Sequence, residues 1–372
     1  MLDWGQPYRF FAYLNIILVL IYSIAQARQN NLNIHKRLFF CLLFIPTTFI
    51  IMHFLAIGHV DYSKAIRRIV LATFLLLGLL QLAKVNSDFI KKNIFVFTLA
   101  LLFIYTISQA IALWIFNRPY GTATNPHYLA LFSAISLMLS LYFFFEIPAK
   151  KRFPIVVSIV LLGTFLLHSS SRPTWIGVIV SGLLALIFLK PLARKFAAFY
   201  IALILILLTS TNLGDFESRT QDLLTHVSTE ERVVIWQDAW KMQLASSPTQ
   251  WIIGHGLDSF KESFKPFSHY HLQKIDFNSP HNFALELLFI SGIIGLLLSF
   301  LTIFLIYKNL LSALKWQSEY HHIYLFLMVV ITSNFILVCI TVPFFSGYNL
   351  NIIAVITGIV LFLKETSVKK VQ

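Results

Sequence analysis

The chain has 372 residues, of which 58% are hydrophobic and only 12% charged, and its mean hydropathy is +0.76. That balance excludes a soluble domain of this length, whose surface would need far more charge. The formal net charge is +13, but no nucleic-acid motif accompanies it.

Long apolar runs follow one another: Phe10–Ile24, Leu38–Ile57, Ile69–Ala83, Ile94–Phe116, Tyr128–Phe145, Ile155–Leu167, Thr174–Leu189, Phe196–Thr209, Phe283–Tyr307, Ile323–Val342 and Leu350–Leu363. Roughly 20 apolar residues span a bilayer, and some of these runs are shorter. Backbone groups in lipid must pair within the segment, so the runs predict a helical bundle rather than open sheets. The expectation is an all-α polytopic membrane protein, residues 1–372 as one integral membrane domain, with about 11–12 transmembrane helices. The first run has a signal-like "AQA" after it at 25–27, but Arg9 alone precedes it and Arg28, Lys36 and Arg37 follow, so it reads as a retained helix. Cys41 and Cys339 both lie within runs and suggest neither a disulfide framework nor a metal site.

The 29 Lys and Arg sort by the loops between runs. Alternate connections hold 17 of them, from Arg28, Lys36 and Arg37 through Lys150, Lys151 and Arg152 to Lys364, Lys369 and Lys370. The short loops of the other set hold 6: Arg9, Lys64, Arg67, Arg68, Arg118 and Arg172. The positive-inside rule makes the 17-residue set cytoplasmic and places the one long loop, 211–280, on the outer, periplasmic side. Arg67, Arg68, Arg118 and Arg172 then stand on the side where the rule does not want them. Each alone can be a side chain snorkelling to lipid headgroups. Together they suggest an anionic ligand at the outer face.

Within the long loop, "STEERVVIWQDAWKMQLASSP" (228–248) predicts a helix. Ser228 and Glu231 fit a capping box, Val233, Trp236, Trp240 and Leu244 form an apolar stripe, and Pro248 follows the end. Arg232 is a cation in the first helical turn, against the macrodipole. It either pairs with Glu230 or Glu231, or joins the helix amino terminus in a phosphate site. "GHG" at 254–256 marks a tight turn returning the chain to the membrane. Asp215 with Glu217, and His269 with His271, could each touch a cation, but neither pair belongs to a full ligand set, so no metal is expected.

At 279–295 a membrane-length run opens with His281 and Asn282 at its mouth and Glu286 one turn inside. Polar groups there are expensive and ask for a reason. A neutral imidazole can act as a general base near pH 7. Guanidinium groups can hold a diphosphate and stabilise it as it leaves. The set suits transfer from a lipid diphosphate donor to a hydroxyl acceptor at the outer leaflet. Glu286 lies about 140° round the helix from His281, so it is expected to brace the bundle rather than orient the imidazole.

These residues resemble the bacterial O-antigen ligases, within the O-antigen ligase/polymerase superfamily. "HNFALELLFISGIIG" fits the ligase pattern of His-Asn, nine residues, Gly, two residues, Gly, at His281, Asn282, Gly292 and Gly295. "HSSSRPTWIG" (168–177) is similar to the Ser/Thr-Arg segment, placing its arginine at Arg172. "ERVVIWQDAW…SSPTQWIIGHG" is similar to the Arg-x-x-x-Trp segment that leads to a Gly-x-Gly turn, placing that arginine at Arg232. "YGTATNPHYLA" (120–130) resembles a polar outer loop. The resemblance implies a GT-C-like fold and an inverting, metal-independent glycosyltransferase without cofactor. It implies transfer of a glycan from undecaprenyl diphosphate to a sugar hydroxyl of lipid A–core in lipopolysaccharide assembly, at the periplasmic face of the inner membrane. His281 would be the base and Arg172 and Arg232 the diphosphate ligands, with Arg67, Arg68, Arg118 and Asn282 binding substrate. The arginine segments are shared with O-antigen polymerases, which are the nearest alternative. A protein glycosyltransferase of the same superfamily is a third reading, and a lipid or glycan transporter a fourth of a different class, though no inverted repeat is visible.

Overall fold

The computed structural model describes residues 47–56, 64–85, 87–123, 125–146, 148–169, 171, 173–174, 176–177, 179–180, 183, 231–270, 277–315 and 321–368. Among these residues the protein is mostly helical and has no strand. The helices are α1 (Thr47–Ala56), α2 (Lys64–Val85), α3 (Ser87–Ala110), α4 (Pro126–Glu146), α5 (Phe153–His168), α6 (Glu231–Leu244), α7 (Pro248–Ile253), α8 (Phe260–Phe264), α9 (Phe283–Lys315), α10 (His321–Ile340) and α11 (Gly347–Val368). The runs at 10–24 and 196–209, and residues 211–230 of the long loop, lie outside the described residues. The chain divides into two compact units, one made of 1–87, 228–313 and 342–372, the other of 88–227 and 314–341.

In the second unit, α3 ends in a single π turn, Ile111–Ile115. A loop follows, folded on itself by Gly121 N to Arg118 O at 3.1 Å and by Gln109 bonded through its side chain to Thr122. Asn125 then caps α4, its Oδ1 accepting from Tyr128 N at 3.0 Å, and Pro126 sits first in the helix, where its missing N–H costs nothing. A short turn at Ala149–Lys151 joins α4 to α5. The two helices pack as neighbours through Leu129, Ala130, Ala134 and Leu137 on one and Ile155, Leu162, Phe165 and Leu166 on the other. So short a connection makes them antiparallel, which puts the start of α4 and the end of α5 at the same end of the pair.

In the first unit, α2 packs against α11 through Ala72, Leu76 and Ala354. Asp258 Oδ2 accepts from Ala65 N at 3.2 Å, so a distant carboxylate satisfies an orphan donor at the start of α2. Helix α9 contains the one helix among the described residues long and apolar enough to cross a membrane, Phe283–Ser312. It is broken at Gly292, whose φ of 63° and ψ of −168° are not helical. Before the break the helix is apolar and buried: Phe283, Leu287, Leu288, Phe289 and Ile290 are all inside the protein. After it Ile293, Ile294, Leu297, Phe300, Leu301 and Phe304 are exposed. Residues 293–312 are by themselves about the ~20 that a bilayer needs. The polar start of α9 therefore stands against protein, not against hydrocarbon.

Helix α6 falls where the sequence predicts a helix, but its buried face is one step round from the expected stripe. Ile235, Asp238, Ala239, Met242 and Gln243 face inward, whereas Trp240 and Leu244 are exposed. Trp240 meets Trp251 edge-on at 6.0 Å instead. The apolar pattern misled because the buried row includes an ionised Asp and a Gln that a hydrophobicity count rejects. Pro248 does not simply follow the helix. It begins α7, for which Ser247 and Gln250 form a reciprocal capping box. The box expected at Ser228 lies outside the described residues.

Candidate functional site

The break in α9 and the GHG turn are two halves of one device. Gly254, at φ 82° and ψ −171°, and Gly292, at φ 63° and ψ −168°, both occupy a backbone region open essentially to glycine alone. They also lie against each other. A methyl at Gly254 would overlap the Ile290 carbonyl and Ser291 N, and one at Gly292 would overlap the Ile252 carbonyl. The break interrupts the helical ladder, and carbonyls just ahead of it take new donors: His255 N to Phe289 O at 2.8 Å and Gly256 N to Ile290 O at 2.9 Å. The His255 ring stacks on Phe289 with centroids 4.0 Å apart, and its Nε2 meets Ser246 Oγ at 2.7 Å. Burial lowers the His255 pKa, favouring the neutral ring. His53 Nδ1 of α1 accepts from Leu257 N at 2.9 Å, so the turn is also tied to a second apolar helix. The turn thus docks on α9, but about two dozen residues, α8 among them, still intervene before the chain enters that helix.

His281 lies just before α9 in the chain. Its φ of 52° is left-handed, an uncommon state for a side chain with a Cβ and one that marks strain at functional sites. Its backbone N donates to Ser279 Oγ at 3.4 Å, and Nδ1 lies 3.5 Å from the same hydroxyl, at the limit of a hydrogen bond. The ring is half-buried. Asn282 is the N-cap of α9: its Oδ1 accepts from Leu285 N at 3.1 Å.

Trp236 joins the arginine helix to the histidine turn. Its Nε1 donates to Pro280 O at 3.0 Å, one residue before His281. Arg232 is one helical turn earlier than Trp236, so the two share a face of α6. The Arg-x-x-x-Trp spacing therefore puts Arg232, half-buried as a residue, on the same helical face as the tryptophan that meets the His281 turn.

Glu286 braces the other side. It is buried, and its carboxylate accepts from Phe344 N at 2.9 Å and Phe345 N at 3.5 Å, in the turn before α11. Arg68 Nη1 of α2 donates to Phe345 O at 3.2 Å. One peptide turn is held by the acid of α9 below and the arginine of α2 beside it. This matches the expectation that Glu286 bonds elsewhere than to the imidazole. Arg67, one residue before, is half-buried.

Arg118 is exposed in the loop after α3, in the other unit. Arg172 lies outside the described residues, but its neighbours are placed: Ser171 Oγ bonds His127 Nδ1 at 2.8 Å and Thr174 Oγ1 at 2.9 Å. No metal-binding group of three appears among the described residues. Asp215, Glu217 and His271 lie outside them. His269, the described member of the H-x-H pair, bonds to an acid of α6. Its Nδ1 is 2.6 Å from Asp238 Oδ2, and its backbone N donates to the same oxygen at 3.0 Å. Burial alone would raise the Asp238 pKa, but the His269 bonds and Lys241 Nζ at 3.3 Å outweigh it and hold the carboxyl below its ordinary range.

The His269–Asp238 and His127–Ser171 pairs were not visible as pairs in the sequence. Their members are 31 and 44 positions apart, and no local pattern links them. The one available signal for the first was an acid on the apolar side of a helix.

The parts described define a helical protein with a membrane-length helix and a strained histidine at its polar mouth, next in sequence to a proline bonded to an arginine-bearing loop helix. Residues 157–300, from α5 through the long loop into α9, match the family model described as O-antigen ligase. The match supports the O-antigen ligase superfamily, a membrane-embedded family of ligase- and polymerase-type enzymes. No curated protein matches the chain.

Proposed function

We propose that the protein is an O-antigen ligase: it transfers a glycan from undecaprenyl diphosphate to a sugar hydroxyl of lipid A–core, at the periplasmic face of the inner membrane. His281 takes the proton of the acceptor hydroxyl as that oxygen bonds to the donor sugar's anomeric carbon. The bond from that carbon to the diphosphate breaks on the opposite side, so the configuration inverts. Arg172 and Arg232 hold the diphosphate in the ground state and neutralise it as it leaves, without a metal. Arg67, Arg68, Arg118 and Asn282 line the approach of donor or acceptor.

The observation that carries this reading is the Trp236–Pro280 bond, which ties the arginine helix to the histidine turn. The segments carrying the proposed base and the proposed cation are then joined by one contact between residues 44 positions apart. The His-Asn, nine residues, Gly, two residues, Gly spacing favours ligase over polymerase, within a family match that covers both types of enzyme. The test is the lipopolysaccharide of a deletion strain. A ligase predicts core without long chains, and polymer accumulating on the carrier lipid. Core bearing a single repeat would mean a polymerase. Core without long chains, with carrier-bound glycan trapped at the inner leaflet, would mean a transporter.

A further inference from the structure

The segment carrying Arg172 is anchored by residues the reaction does not explain. The antiparallel pairing of α4 and α5 brings the start of one beside the end of the other. At that end α5 stops at His168, whose Nε2 meets Pro119 O at 3.1 Å, so the loop carrying Arg118 is tied to it. Ser169 Oγ then caps back on Leu166 O at 2.6 Å, and Ser171 N reaches Ser169 Oγ at 3.4 Å. Ser171 and Thr174, on either side of Arg172 and Pro173, are both buried and share a hydroxyl contact of 2.9 Å. The outer partner of this pair comes from another helix: His127, in the first turn of α4, meets Ser171 Oγ through Nδ1 at 2.8 Å.

A single hydroxyl, that of Ser171, links the three groups. Ser171 Oγ can give its hydrogen to one neighbour while accepting from the other, so a chain from imidazole to Ser171 to Thr174 is satisfied throughout. Such chains hold backbone in place because breaking any member leaves a buried polar atom without a partner. In the order Ser171-Arg172-Pro173, the proline also disfavours helical backbone at the position before it. The contact joins two stretches singled out for chemistry, "YGTATNPHYLA" and "HSSSRPTWIG".

We propose that His127 is a positioning residue of the donor site: it holds Ser171, and through it Thr174, the residues that flank Arg172 in the chain, and so sets affinity for the lipid diphosphate. This rests on the reading of Arg172 as a diphosphate ligand. The ring acts through its Nδ1 edge, which makes a specific demand. Asparagine places an amide atom where Nδ1 stands, whereas glutamine places one nearer to Nε2.

The experiment uses full-length protein in detergent, a non-transferable carrier-lipid diphosphate for binding and the lipid-linked glycan for turnover, with melting curves for every variant. His127→Ala and Ser171→Ala should each weaken donor binding about 3–10-fold, the loss expected of one hydrogen bond, with kcat at saturation little changed. The double variant should bind no more weakly than the weaker single one, because both remove the same contact. His127→Asn should bind like wild type and His127→Gln like alanine. Normal binding by His127→Ala, additive losses in the double variant, or equal behaviour of Asn and Gln would each overturn the proposal. Arg172→Ala run beside them separates the two ideas. If it alone loses binding, the clamp reading stands and the role of His127 is wrong. If it binds normally while His127→Ala and Ser171→Ala lose binding together, the segment is positioned as proposed and another of its residues meets the diphosphate. If an alanine variant fails to melt cooperatively, the Asn–Gln comparison still decides.

Discussion

At the scale of single residues, His281 and Arg232 differ in what they are held by, and that difference predicts different defects. His281 has a strained backbone and a loose hydroxyl partner, while Arg232 sits on a helix whose Trp236 is bonded to the His281 turn. His281→Ala should lower turnover by the ~10²–10⁴-fold that general-base help supplies, and leave donor binding largely intact. Arg232→Ala should weaken binding as well as turnover, and Arg232→Lys should restore only part, since one ammonium cannot reproduce a bidentate fork. Binding of a non-transferable carrier-lipid diphosphate, measured beside turnover, reads both. If His281→Ala loses donor affinity more than the arginine variants do, the assigned roles are reversed. Gly292 makes a different kind of prediction. Its backbone region alone should cost alanine ~1–3 kcal/mol, and the added methyl also meets the Ile252 carbonyl. Gly292→Ala should therefore lower melting temperature and activity together, whereas Leu297→Ala, at an exposed position of the same helix, should change neither. A Gly292→Ala protein that melts like wild type would show that the break in α9 is optional.

At the scale of elements, two motifs that read as separate signatures turn out to be one joint. The sequence shows GHG as a turn and Gly292 as a spacing, and both are real. What it does not show is that the amides of His255 and Gly256 satisfy the carbonyls of Phe289 and Ile290, because that pairing spans more than thirty positions. The helices themselves were legible, since α4, α5, α9, α10 and α11 follow from apolar runs. The face of α6 was not, because Asp238 belongs to its buried row and owes its place to His269, 31 positions away. That pair has a pH signature. Its carboxyl is held below the ordinary range, so its stabilising contribution is complete above that range and is lost as pH falls through its own lowered value. Amide-exchange protection over 231–270 should be greater in wild type than in Asp238→Asn at neutral pH. The difference should persist to about pH 4 and shrink only below it. A difference that already vanishes well above the ordinary carboxylate range would show that ionisation of Asp238 does not carry it.

At the scale of the whole molecule, orientation decides whether the site faces the periplasm at all. The argument rests on charge: 17 Lys and Arg in one set of loops against 6 in the short loops of the other. The same count assigns the four arginines that break the rule, Arg67, Arg68, Arg118 and Arg172, to the side of the long loop, and Arg68 has a structural duty of its own, bonded to Phe345 O. The α4–α5 pair offers an independent check, because its connecting turn, with Lys150, Lys151 and Arg152, must lie at the opposite end from Thr122 and His168. Single cysteines at Thr122 and Ser268 should therefore react with a membrane-impermeant thiol reagent in intact spheroplasts, in a background where Cys41 and Cys339 are replaced by serine. A cysteine at Lys151 should react only after the membrane is opened. Thr122 and Ser268 belong to different units, so their agreement would place both on one side without assuming how the units meet. Labelling at Lys151 in intact cells, with Thr122 and Ser268 protected, would invert the protein. His281 would then face the cytoplasm, where a donor already flipped to the outer leaflet is out of reach, and the transfer reaction proposed for it could not take place.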